Sequence, residues 1–249
     1  LITVRRHNKN KGGNAARKTG IKLATGDFLA FLDDDDEWEQ SKLQQQLQTA
    51  KKTDSGVIYT GVKQINQGQI VAKKTPNKEG DITTELLRGN FIGTFSTIIL
   101  RQDLIETVGY PDPDLPSWQD WDYYLRLSTE TEFAAVPKPM VRRHTEDHTQ
   151  VSQDHTTKRE ITAPTFFQKH CSLAHEYNLR TEFEATIAAE LGWSAALNGD
   201  YNEARCHFMH SLKLNLSKEA VLFFFLTLGG RLSFNTAQKL KRKLVVMNK

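Results

Sequence analysis

Four aspartates, Asp33-Asp34-Asp35-Asp36, follow directly on the apolar run Phe28-Leu29-Ala30-Phe31-Leu32. Adjacent carboxylates repel one another, so such a run is worth keeping where a cation or a structural role offsets the repulsion. The apolar run reads as a buried strand, and the acidic residues then stand at its C-terminal end, where α/β sheets carry their ligands. If the extended conformation persists, side chains alternate and Asp33 and Asp35 share one face. An Asp-x-Asp pair suits Mg2+ or Mn2+ bound with a nucleotide diphosphate, because phosphates and water supply the remaining oxygens. A solvated acidic loop or a helix N-terminus is the structural alternative, and the strand upstream weighs towards the metal.

Other chemistries fail on single residues. Asp33, Asp35 and Glu37 alternate as in a calcium-binding loop, but Trp38 stands where the sharp turn needs glycine. Gly12 to Thr19 superficially suggests a P-loop, yet Arg17 replaces the glycine required before Lys18-Thr19. His144-Thr145-Glu146-Asp147-His148 approaches an inverted zinc-protease motif, with aspartate in place of the glutamate, and Pro137 and Pro139 oppose a long helix.

The elements that must position these residues follow from periodicity. A helix is expected from Gly12 to Ala24 through Ala15, Ala16, Ile21 and Leu23, then a turn at Gly26-Asp27 and the strand that empties into the aspartates. Trp38 leads into a helix through Leu43 and Leu47. Val57 to Ile65 and Gln69 to Ala72 flank Asn66-Gln67-Gly68, which has hairpin composition. Next come a helix near Ile82 to Arg88, a strand Phe95 to Leu100, and a short helix Asp103 to Val108 closed by Gly109. A proline-bearing loop then leads to a helix from Gln119 to Ser128 and a strand Phe133 to Val136. The opening Leu1-Ile2-Thr3-Val4 reads as a strand already under way, so the true N-terminus is expected upstream.

Composition removes several function classes. The 249 residues carry 33 basic and 30 acidic side chains, a net +3 that does not resemble a nucleic-acid binder as a whole. Cys171 and Cys206 are too few for a disulfide framework and lack zinc-site spacing, which favours a reducing, cytoplasmic setting. The longest apolar run, Ala220 to Leu226, falls far short of the roughly 18 residues that span a bilayer.

The ordered segments Asn10-Lys11-Gly12-Gly13-Asn14-Ala15-Ala16-Arg17, Ala24-Thr25-Gly26-Asp27-Phe28 and Phe31-Leu32-Asp33-Asp34-Asp35-Asp36-Glu37-Trp38 resemble the family-2 glycosyltransferases. The resemblance runs from about Leu1 to Ser152. It implies a GT-A-type, Rossmann-like α/β domain with a mixed sheet, incomplete at its N-terminus, that transfers sugar from a nucleotide-sugar donor to a hydroxyl acceptor with inversion. By resemblance, Asp33 and Asp35 hold the metal and donor diphosphate, with Asp34 and Asp36 in support, and Gly13 and Arg17 approach the nucleotide. Arg17 as a surface helix residue is the equal alternative. Ser117-Trp118-Gln119-Asp120-Trp121-Asp122 resembles the family segment that begins Glu-Asp, here with Gln119 for the glutamate. The implied general base is Asp120, which would otherwise cap a helix. Arg142-Arg143-His144 to His148 resembles the loop that places a histidine near the metal, with His144 or His148 in register. Saccharide or lipid-linked acceptors are compatible. The strand and acidic turn that complete the family's nucleotide pocket are expected before Leu1.

Beyond Ser152 the strand signals stop, and residues 153–249 read as a helical extension. Leu191 to Leu216 resembles one tetratricopeptide helix pair, and a plain helical bundle fits as well. The apolar Val221 to Leu226 followed by the basic Lys239 to Lys243 suits either peripheral contact with an anionic membrane or ordinary helix packing. A non-catalytic interaction module, a truncated relic of a transferase, is the second functional reading.

Overall fold

The computed structural model describes residues 2–145 and 154–234. The chain divides into two compact units, one of Leu1–Lys63, Lys74–Thr83 and Phe91–His144, the other of Gln64–Lys73, Thr84–Asn90 and Thr145–Lys249. A single mixed sheet is built from β1 (Phe28–Ala30), β2 (Asp36–Trp38), β3 (Val57–Asn66), β4 (Gln69–Lys74), β5 (Ile98–Arg101) and β6 (Phe133–His144). Its order is β1-β5-β3-β6-β2, with β4 beside β3. β5 lies antiparallel between β1 and β3, pairing Leu100 with both Leu29 and Val57. β2 lies antiparallel to β6, with Asp36 opposite Arg143 and Trp38 opposite Val141. Ile58, Ile99, Ala134, Val136 and Met140 form a core cluster here, with Phe28 and Ala50 packed against it. The hairpin turn has φ 50° at Gln67 and 72° at Gly68, positive at both central residues as a two-residue turn matching strand twist requires.

Several expectations need correction. The opening strand does not form: residues 2–7 are irregular, Ile2 and Val4 are 93% and 80% exposed, and among the described residues no strand pairs with them. The extended conformation stops at the aspartates, where the Asp36 NH donates to the Asp33 carbonyl (3.1 Å) and Asp34-Asp35 form a turn. Asp36 to Trp38, expected only as the acidic run before a helix, form a short strand because β6 offers them a ladder. Phe95–Thr97 is a 3-10 turn, and only Ile98 onward joins the sheet. β6 runs on to His144 despite Pro137 and Pro139, which it tolerates because its ladder with β2 begins only at Val141.

Helix α1 (Gly13–Leu23) starts from Gly12 at φ 81°, and α2 (Lys42–Ala50) follows β2. The buried face of α2 is not the expected leucine stripe. Leu43 and Leu47 are exposed, whereas Lys42 and Gln46 are fully buried. Gln46 Nε2 donates to the carbonyls of Ile58 (2.7 Å) and Thr97 (3.0 Å), and its Oε1 accepts from Lys42 Nζ (2.7 Å). Carbonyls left over where the sheet ends need donors, and a glutamine supplies one that a leucine lacks. Lys42 also lies 4.1 Å over the Trp38 ring, and burial pushes it down to about 7.

Helices α3 (Thr83–Leu87), α4 (Leu104–Val108) and α5 (Gln119–Ser128) fall close to their expected spans. Asp122 on α5 is structural. It is fully buried and paired with Arg126 (3.0 Å), whose guanidinium also donates to the carbonyls of Val108 and Tyr110.

The second unit contains α6 (His155–Thr157), a π-helical turn (Lys158–Thr162), and α7 (Ala163–Glu176), α8 (Arg180–Leu197), α9 (Tyr201–Leu214) and α10 (Lys218–Leu228). α8 and α9 meet at Gly192, where a Cβ would stand 2.9 Å from the Phe208 ring. Ala195, Ala196, Ala204, Phe208 and Phe234 form the core there. Phe223 and Phe224 pack on it, and Leu222, Phe225 and Leu228 are exposed. The basic run Lys239 to Lys243 lies outside the described residues. No helix of the described residues is long and apolar enough to cross a membrane.

Candidate active site

Arg17 is the centre of the constellation. One helical turn after Gly13 on α1, its Nη2 meets Asp33 Oδ1 at 2.5 Å, while Nη1 donates to Asn14 Oδ1 (2.9 Å) and Gln119 Oε1 (3.4 Å). Its guanidinium lies 4.3 Å over the Phe95 ring. Three segments far apart in sequence, α1, the loop after β1 and the start of α5, are thus joined by one side chain. A planar guanidinium with several fixed donors suits this task better than lysine would. Gly13 has a local reason to be glycine, since its Cβ would come 3.0 Å from Arg17 Nη1. The surface-residue alternative for Arg17 does not describe this geometry.

Asp33 is anchored at the backbone too, its NH donating to Ser96 Oγ (3.0 Å). Trp38 Nε1 donates to the Ser96 carbonyl (2.9 Å), so the 3-10 turn holds both ends of the acidic loop. Asp34 and Asp35 point outward and are exposed. Asp36 is buried, with Thr94 Oγ1 donating to its Oδ2 (3.2 Å) and no hydrogen-bond partner on Oδ1. Burial, then the charges of Asp33 and Asp35, push its carboxyl above the ordinary range against the hydrogen bonds from Ser96 and Thr94.

Asp120 occupies the first turn of α5, behind Trp118 in the left-handed conformation (φ 57°), and its Oδ1 accepts from the Trp121 NH at 2.8 Å. Burial pushes its pKa up to about 6. The Trp121 NH, Arg143 and Arg17 pull the other way, and Asp33 adds to the rise. A carboxyl with a pKa near 6 is ionised at neutral pH yet a much better proton acceptor than an ordinary aspartate. Behind it, fully buried Tyr124 donates to the Thr94 carbonyl (2.8 Å). His144 pairs with Glu37 (3.2 Å) and is half-buried, while His148 lies outside the described residues.

Sequence reasoning missed Asn14, Phe95, Ser96 and Tyr124. Asn14 lay within a quoted motif and is 1% exposed, donating to the Asp112 carbonyl (2.6 Å). Tyr124 lay within the helix that continues the Gln119-Asp120 segment and was given no role, and Phe95 and Ser96 sat in a segment read only as strand.

Residues 1–109 match Glycosyl transferase family 2. The matched stretch is the part of the chain that runs from α1 through β5 to the end of α4. It is 28% identical over 231 residues to a glycosyltransferase of Haemophilus influenzae, covering 90% of this chain and 71% of the relative. It is 34% identical to the amylovoran biosynthesis glycosyltransferase AmsB of Erwinia amylovora, over 53% of this chain and 46% of AmsB. It is 37% identical to WfgD of Escherichia coli, a UDP-Glc:alpha-D-GlcNAc-diphosphoundecaprenol beta-1,3-glucosyltransferase, over 47% of this chain and 44% of WfgD. The chain thus spans less than half the length of these last two. The structure superimposes on S. aureus TarS, solved in complex with UDP-GlcNAc, with a TM-score of 0.57 at 16% identity, covering 89% of this chain and 67% of that one. That likeness shows the GT-A-type fold.

Proposed function

We propose that this chain transfers a sugar from a nucleoside-diphosphate sugar to a hydroxyl of a saccharide or lipid-linked acceptor, with inversion, in the building of a cell-envelope glycan. The observation that carries the reading is the bridge made by Arg17 between Asp33 and the Gln119-Asp120 turn. It supports a diphosphate-type subsite at Arg17 and Asp33, next to a carboxylate whose pKa of about 6 suits a base.

The donor-side residues fit a divalent cation shared with a diphosphate. Asp33 and Asp35 are its ligands in this reading, and the unpartnered buried Oδ1 of Asp36 supports a positive charge nearby. No third histidine, cysteine or carboxylate joins them among the described residues, so phosphate and water oxygens complete the shell. When bound, Mg2+ or Mn2+ offsets the charge of the departing diphosphate. Arg17 releases Asp33 on donor binding and turns to a phosphate oxygen. Asp120 accepts the proton of the acceptor hydroxyl as that oxygen bonds to the anomeric carbon from the face opposite the leaving group. The bond from the anomeric carbon to the diphosphate oxygen breaks, and its electron pair leaves with the nucleotide.

A lipid-linked acceptor, as the name of WfgD describes for that enzyme, would set the work at the cytoplasmic face of the membrane. The exposed Leu222, Phe225 and Leu228 of α10 are the apolar contact for that surface.

Thermal unfolding with Mn2+ and UDP-GlcNAc or UDP-glucose added together is the test. A stability rise that needs both additions, and that is lost in Asp35→Ala, is expected. Asp120→Ala keeps the rise and loses turnover; unchanged turnover would exclude Asp120 as base. No rise with any nucleotide sugar favours the interaction-module reading.

A further inference from the structure

A second cluster of ligand-type side chains lies in the helical unit. Glu203 is fixed in the first turn of α9 by Asp200, whose Oδ1 accepts from the Glu203 NH at 2.9 Å. His207 follows four residues later on the same helix face. His155 comes from α6, whose start is fixed by Asp154 accepting from the Thr157 NH at 3.0 Å. His155 Nε2 stands 3.1 Å from Glu203 Oε2, and His207 Nε2 stands 3.6 Å from Glu203 Oε1. One ligand atom from each of the three residues lies within 4.8 Å of the others.

His155 is the informative member. It is 8% exposed, and neither ring nitrogen has a hydrogen-bond partner; Nε2 faces Glu203 without hydrogen-bond geometry. Buried imidazoles ordinarily satisfy both nitrogens, so an unmet Nε2 aimed at a carboxylate and a second imidazole points to a missing electrophile.

We propose that His155, Glu203 and His207 form a His2Glu site for a zinc-like transition-metal ion, separate from the donor site. Zinc bonds of about 2.0–2.2 Å in tetrahedral geometry set neighbouring ligand atoms about 3.3 Å apart. His155 and His207 approach the two different oxygens of Glu203, at 3.1 Å to Oε2 and 3.6 Å to Oε1, so the carboxylate stands between the two rings and small side-chain rotations bring one oxygen to that spacing from both. The imidazole-to-imidazole edge is no longer than 4.8 Å and closes by side-chain rotation. Imidazole donors select zinc, cobalt or nickel over magnesium, and three protein ligands leave the fourth position to water. The competitor is Arg159, whose Nη1 pairs with Glu203 Oε1. Its side chain is 41% exposed and also bonds Glu160 Oε1 (2.8 Å), so it has a partner to retain when it leaves Glu203. The bound ion staples the start of the helical unit to α9.

The test is Zn2+ alone, titrated into the full chain against a chromophoric chelator, with Co2+ as the spectroscopic substitute. One Zn2+ per chain is expected, and tetrahedral visible absorption for Co2+. His155→Ala and His207→Ala each weaken binding about tenfold or more. Cys206→Ser, beside His207, and Asp35→Ala, in the donor site, leave it unchanged. Arg159→Gln removes the competing cation, keeps all three ligands and tightens binding severalfold, which covers the case in which a ligand variant fails to fold. Absence of stoichiometric binding, its survival in both histidine variants, or its loss in Asp35→Ala overturns the assignment. Unchanged or weaker binding in Arg159→Gln does the same.

Discussion

Asp120→Asn should inactivate the enzyme and make it more stable at neutral pH. The carboxyl's pKa moves from an unfolded value near 4 up to about 6 on folding, chiefly by burial. The folded state therefore binds more protons between those values, and stability falls as pH rises through that window. Two pKa units correspond to about 3 kcal/mol at full effect. Solvent at the partly open face of the side chain screens some of this, and asparagine forfeits about 0.5 kcal/mol of charge–dipole attraction in the first turn of α5. Asparagine keeps an oxygen for the Trp121 NH, so the local hydrogen bond survives. The variant should then exceed the wild type by about 1–2 kcal/mol at pH 8 and match it near pH 4. Urea unfolding followed by tryptophan fluorescence reads this directly, because Trp118 and Trp121 flank the site with ring centroids 5.5 Å apart. An Asp120→Asn protein that is less stable at pH 8, or whose advantage does not fade towards pH 4, would refute a desolvated base at this position.

The same electrostatics makes Arg17 a lever on the pH profile. Arg17 lowers the Asp120 pKa, so Arg17→Met should move the acidic limb of kcat/KM, expected near pH 6, to higher pH as well as weakening donor binding. A limb that stays in place while KM alone rises would restrict Arg17 to the donor. Gly192→Ala should destabilise the helical unit by about 1–3 kcal/mol, since the added methyl group meets the Phe208 ring at 2.9 Å, and thermal unfolding reads it. An unchanged midpoint would mean that α8 and α9 separate at little cost.

The fold and site were legible in unequal measure, for physical reasons. α5 was read to its observed limits because its pattern and the proline-bearing loop before it agree. The start of α1 and the hairpin at Gln67-Gly68 were legible through glycine, which marks backbone angles that few other residues adopt. The acidic run was legible as the loop at the end of a strand, but its shape was not. Period-two alternation assumes that a strand continues, and whether it continues depends on the partner. β5 pairs with β1 only as far as Ala30, whereas β6 captures Asp36 to Trp38, so the chain must turn at Asp34-Asp35. Pairing partners lie 69 to 107 residues away, beyond any local pattern.

α2 carries the point into energetics. A helix with Leu43 and Leu47 on one stripe reads as burying that stripe, since burial of leucine is favourable by about 2 kcal/mol. The fold instead buries Lys42 and Gln46, because the Ile58 and Thr97 carbonyls lie beneath α2 and a buried carbonyl without a donor costs about 1–3 kcal/mol, as much as a buried leucine gains. Gln46 answers both carbonyls, and Lys42 answers Gln46 and the face of Trp38. Trp38 in turn holds the Ser96 carbonyl, and Ser96 Oγ holds the Asp33 NH. The polar face of α2 is thus the far end of a chain of hydrogen bonds and one cation–π contact that reaches the backbone of Asp33. Sequence hydropathy misplaces that face because the demand for donors arises in the sheet, which forms only when the chain is folded.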